Sequence, residues 1–155
     1  MPITTVYDSE RYLTSSVQIF KEWLQDYFSD IDIMDDIPEL KDEYPISRSI
    51  VHIKILPGSD RAIGLGRSIG DGKKAKIFQP EIMVNFITTQ ELGGAAKVRE
   101  FSEILKLNIL KNGYLLAQAG LQIPSCGGLR ELPKASLSIY YGGRQMVTWR
   151  CLVSY

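Results

Sequence analysis

Few side chains in this sequence have the types and spacings that chemistry requires. The run Gly64-Leu65-Gly66-Arg67-Ser68-Ile69-Gly70 comes nearest to a dinucleotide-binding loop. Its last glycine falls one residue too late for G-x-G-x-x-G, and Gly72-Lys73-Lys74 continues the loop where a helix should open. That motif works because the free N–H groups of a helix N-terminus hold the pyrophosphate, so a strand with no helix after it cannot supply the site. The run therefore reads as a flexible basic loop. Asp30, Asp32, Asp35 and Asp36 could gather around a divalent cation, with Asp30 and Asp32 on one strand face. An EF-hand beginning at Asp30 fails, because its sixth position is Asp35 instead of glycine and its twelfth is Lys41 instead of glutamate. Glu39-Leu40-Lys41 has the acidic-x-lysine spacing of metal-dependent nucleases, yet it follows Pro38 in a stretch without a strand pattern. A solvated acidic edge is the expectation for these carboxylates.

No nucleophile stands beside a base. His52 is the only histidine and sits in an isoleucine-rich strand, where a packed or interfacial ring is expected. Cys126, in Pro124-Ser125-Cys126-Gly127-Gly128, reads as a loop thiol with no base to activate it. The only other cysteine, Cys151, lies 25 positions on, which is neither a zinc spacing nor a disulfide framework. A reduced cytosolic chain is the simpler expectation, with one disulfide left open. The sequence thus predicts no catalytic residue, no cofactor and no metal, and the protein is not expected to be an enzyme.

The elements that would position these groups follow from periodicity. Leu13, Val17, Phe20, Leu24 and Tyr27 form one stripe of an amphipathic helix over 9–27, capped by Asp8 or Ser9. Residues 30–34 alternate as a short strand, expected at an edge, and 35–45 read as an acidic loop. A strand is predicted over 48–56, then the long glycine-rich basic connection 57–76, then a strand over 77–88 with Pro80 near its start. Val98, Phe101, Leu105 and Ile109, widened by Ile104 and Leu107, predict a second helix closed by Asn112-Gly113. A short strand is expected over 121–123. Gly142-Gly143 between two alternating runs predicts a closing hairpin. The fold class expected is α+β: a mostly antiparallel sheet, two main helices packed on one face, and a long Gly-rich basic loop between two strands.

Composition agrees with one domain over 1–155: 155 residues, 45% hydrophobic and 23% charged. No apolar run approaches the roughly 18–20 residues that span a bilayer, and Met1-Pro2-Ile3-Thr4-Thr5 has no signal-peptide pattern, so a cytosolic origin without membrane contact is expected. The net charge is zero but divided. Residues 1–44 carry three basic and eleven acidic residues, whereas 45–155 carry fifteen basic and seven acidic. The division fits either two faces of one domain or head-to-tail complementarity between copies.

A leading amphipathic helix, a sheet broken by a long glycine-rich excursion, one central helix and a closing tyrosine-ended strand make a recognisable plan. It resembles the tail terminator (tail completion) proteins of long-tailed bacteriophages, through residues 12–27, 50–56, 77–88, 98–110 and 136–155, most of the chain. The resemblance implies a structural virion protein of the tail and neck, assembled in the host cytoplasm. It implies a homo-oligomer, a six-fold ring, that caps the tail tube protein, ends tube growth and receives the head connector or stopper protein, with DNA passing transiently through the lumen. Arg61, Arg67, Lys73, Lys74 and Lys76 are then candidates for an assembly or lumen-facing loop. Asp30, Asp32, Asp35, Asp36 and Glu39 are candidates for an acidic inter-subunit patch. Another phage neck, connector or minor tail protein is the alternative within this class. From another class, the alternative is a nucleic-acid-binding accessory protein that uses the basic loop 57–76.

Overall fold

The computed structural model describes residues 3–35, 46–56, 61–70, 72–134 and 138–155. The Asp8 carboxylate accepts from Glu10 N at 2.9 Å and caps a 3-10 turn, Ser9–Arg11, that leads into helix α1 (Tyr12–Gln25). Strands β1 (Asp32–Met34), β2 (Ile50–Ile55), β3 (Arg61–Gly70), β4 (Lys73–Gln79) and β5 (Glu81–Thr89) follow. Helix α2 (Gly94–Gln118) precedes β6 (Gln122–Cys126), β7 (Arg130–Leu132) and β8 (Tyr140–Ser154). This is the α+β class expected, with an eight-stranded sheet among the described residues that is antiparallel except where β1 pairs with β2.

The sheet is built around β8. Along one edge, Glu81–Thr89 of β5 pair with Thr148–Tyr140, and the same register carries on through β4, where Phe78 faces Cys151 and Ala75 faces Ser154. Pro80 separates β4 from β5 because it has no N–H to give the ladder. On the far side of this long strand lie β2, against β5, and β3, against β4. The other edge of β8 holds β7 and β6.

Both helices cover one face. Gln145, Val147, Trp149 and Cys151 of β8 point to them, as do Ile82, Val84 and Phe86 of β5, and all are fully buried or nearly so. The Phe20 ring of α1 meets Trp149 at 5.3 Å, and Phe101 of α2 meets Phe86 at 5.7 Å. Ser102 Oγ donates to Gln145 Oε1 at 2.9 Å, while Gln145 Nε2 donates to Gly127 O at 2.6 Å. That buried glutamine ties α2, β8 and the β6–β7 link together, satisfying polar groups that would otherwise be costly to bury.

Four expectations are corrected. The connection 57–76 is not a loop in its described part: residues 61–70 and 73–79 are the two strands of a hairpin. The closing hairpin does not exist, because Gly142 and Gly143 lie inside one 15-residue strand. Helix α2 does not stop at Asn112-Gly113. Gly113 is buried within it against Pro124, and the chain turns only at Gly120, whose φ is +115°. Leu107 does not widen the core stripe of α2, since it is exposed.

Candidate assembly surfaces

The β3–β4 hairpin is an arm. Its tight turn needs left-handed backbone at Gly70 (φ +97°) and Gly72 (φ +72°), a conformation that costs other L-residues. It is held at two places along its length, near the tip by the end of the chain and near the root by α1. Lys74 N donates to Tyr155 O at 2.7 Å and Tyr155 N donates to Lys74 O at 2.8 Å. Phe78 stacks on Tyr12 of α1 with ring centres 5.2 Å apart. The register places Arg67 opposite Ala75, and Arg61 opposite Gln79 at the root. Lys73 and Lys74 are exposed near the tip and Lys76 is half-buried. Backbone pairing therefore brings the five basic residues named from the sequence onto one short two-stranded element.

The acidic candidates are dispersed among cations of the same chain. Asp30 precedes β1, so it does not share a strand face with Asp32. Lys97 Nζ lies 3.8 Å from Asp30, Arg48 3.3 Å from Asp32, and Lys21 3.1 Å from Asp35. Each pair is solvent-exposed on its acidic side and weak in itself, but it lowers the negative field that a neighbouring copy would meet. Asp36 and Glu39 lie outside the described residues. Among the described residues no group of three or more histidine, cysteine or carboxylate side chains could hold a metal ion.

The two possible nucleophile partners are packed. His52 is 9% exposed, with Nε2 2.8 Å from Asp35 O and Nδ1 3.3 Å from Asn85 Nδ2. Nε2 must carry the proton to use the carbonyl, which leaves Nδ1 to accept from the amide as Asn85 is placed. Cys126 lies on β6, half-buried, with Gln145 Nε2 at 3.6 Å. Burial pushes its thiol up, against a smaller pull from Lys106, so it is a poor thiolate. Cys126 and Cys151 form no disulfide among the described residues.

The register reveals a feature that single-sequence reading could not. On the face of the sheet away from the helices, His52, Asn85, Arg144 and Arg130 are successive cross-strand partners over β2, β5, β8 and β7. Two arginines thus stand directly opposite one another, a repulsive placement on a ladder. Arg144 Nε is buried with no hydrogen-bond partner among the described residues. Neither arginine makes an ion pair among the described residues, whereas the neighbouring Glu131 points to the helix side and binds Arg99 Nε.

Neither a protein-family model nor a curated protein matches this chain.

Proposed function

We propose that this chain is a structural virion protein of the tail-terminator type, whose copies form a ring that caps the tail tube, ends its growth and joins the tail to the head connector. Its action is interface formation, without a covalent step. The supporting observation is the basic arm of β3 and β4. A paired two-stranded arm keeps a fixed direction, as a loop does not, so it holds Arg67, Lys73 and Lys74 at a set place around the end of β8. Such an arm suits contact with a neighbouring ring, or weak attraction to phosphate in a lumen. The experiment adds the purified protein to polymerising tail-tube protein of the same virus and measures tube length. Wild type should stop growth and the Arg67→Glu, Lys73→Glu, Lys74→Glu variant should not. Tubes that ignore the wild-type protein, or that the triple variant stops equally well, would sink the reading.

A second reading, a nucleic-acid-binding accessory protein, draws on the Arg130–Arg144 pair and its orphaned donor. Salt-dependent DNA binding by a monomeric protein that leaves tube growth unaltered would favour it.

A further inference from the structure

Two apolar patches lie on opposite layers of the molecule. Helix α2 turns Val98, Phe101, Leu105 and Ile109 to the core. Diametrically opposite, Glu103, Leu107, Leu110 and Tyr114 recur at spacings of four, three and four, which makes one outward stripe. Leu110 is 77% exposed and Tyr114 58%. On the face of the sheet away from the helices, Ile77 and Leu152 are direct cross-strand partners. With Ile123 and Arg150 they line a groove of about 570 Å³ that Tyr7 closes at one end, its hydroxyl donating to Leu152 O at 2.6 Å. Ile123 is held at φ +49°, a left-handed conformation unfavourable for a β-branched residue, and yet its side chain is 62% exposed.

We infer that a second copy of this chain fills the groove with the outer stripe of its α2. The two surfaces match in chemistry and in spacing. Each offers three large apolar residues and one charge, and the charges are opposite: Glu103 on the stripe, Arg150 in the groove. Neither makes an ion pair among the described residues. Glu103 stands one turn before Leu107, about 6 Å along the helix. Arg150 stands two residues before Leu152, about 7 Å along the strand. A helix laid along β8 of its neighbour satisfies both separations at once. Because the patches occupy opposite layers, the contact is heterologous and propagates head to tail, as a ring or filament must. This deepens the ring reading and rests on it for closure. A two-fold dimer through paired α2 stripes is the competing arrangement, and it leaves the groove empty.

Sedimentation velocity of the purified chain and five variants decides the matter. Wild type should self-associate with concentration. Leu110→Glu and Ile123→Asn should each raise the concentration for half-assembly by about tenfold or more, as loss of a central apolar anchor does. Both side chains are exposed, and asparagine tolerates the left-handed backbone, so the fold should survive, as circular dichroism would verify. Glu103→Arg and Arg150→Glu should each weaken assembly, and the double variant should regain it. Sensitivity to Leu110→Glu without sensitivity to Ile123→Asn or Arg150→Glu would overturn the inference in favour of the two-fold dimer. Assembly indifferent to all the variants would overturn it while leaving the ring reading intact. A wild-type chain that stays monomeric to about 100 μM would overturn it too, since an interface of this kind should then show; arrest of tube growth would still stand as the test of function.

Discussion

Gly143 of β8 lies directly beneath Val98 of α2: a β-carbon built on the glycine would stand 2.6 Å from Val98 Cγ1 and 2.9 Å from Leu129 Cδ1. The backbone at Gly143 is not left-handed, so space is what the position demands. The helix is seated on its strand through the absence of one methyl group. That contact sets how closely α2, with its outward stripe, approaches the sheet.

Gly143→Ala should therefore destabilise the fold by about 1–3 kcal/mol, the usual cost of overpacking a filled core. Gly142→Ala should cost less, since its β-carbon would meet Leu132 Cδ1 at 3.3 Å, on a half-buried side chain. Adding Val98→Ala to Gly143→Ala should recover part of the loss. Urea denaturation of the four proteins checks this, and equal stabilities for the two glycine variants would refute it.

The same glycine explains where sequence reading failed. The Val17, Phe20 and Leu24 stripe of α1 and the Ile82, Val84 and Phe86 alternation of β5 were legible because each answers one demand, a buried face. Gly142-Gly143 and Gly113 answer a different one, close approach, which a sequence writes with the same letter as a turn or a helix stop. The arm was hidden by glycines within a strand that pairs along only one side. The His52–Asn85–Arg144–Arg130 row was hidden more deeply, because it exists only once four strands have found their register. Of the candidate site, the basic residues of 61–76 stand out in the sequence by charge alone, and their pairing on one hairpin does not. The ion-pair partners of the acidic candidates could not be read from the sequence, since a partner such as Lys97 is remote from Asp30 along the chain.

Glu22 fastens the N-terminal segment to α1. Its carboxylate accepts from Thr5 N and Oγ1 at 3.0 and 2.8 Å, and from Thr4 N and Oγ1 at 3.2 and 2.9 Å. Burial alone would raise its pKa, but the bonds from Thr5 and Thr4 hold it below the ordinary 4.5. A depressed folded-state value means that the stabilisation is complete above the unfolded pKa and is lost as pH falls through the folded one. Glu22→Gln should lower stability at pH 7, and the difference from wild type should close as pH falls below 4.5. A gap that persists undiminished at pH 2–3, roughly two units below the ordinary value, would show that shape and not charge holds the segment.

The arm should behave as a strand in solution. Backbone amides of Lys74 and Tyr155, which bond to one another's carbonyls, should exchange with deuterium far more slowly than those of a loop. Phe78→Ala removes the ring that rests on Tyr12, and it should speed exchange at the root of the arm while leaving β5 protected. Fast exchange at Lys74 in the wild-type protein would return this segment to a loop.

The arginine pair on the sheet face away from the helices gives a prediction with an unusual sign. Most substitutions destabilise, but Arg130→Glu replaces a directly opposed like-charge pair with an opposite-charge one and offers Arg144 Nε an acceptor. The variant should be more stable than wild type by about 0.2–1 kcal/mol at low salt. The gain should shrink as ionic strength rises and the exposed charges are screened. The companion measurement is retention on immobilised heparin, a polyanion without base edges. If the unrelieved repulsion is kept because the face meets phosphate, Arg130→Glu should gain stability and lose retention together. A gain in stability with unchanged retention would place polyanion contact elsewhere, with the arm the first alternative. No gain at low salt would mean that solvent already separates the two guanidinium groups.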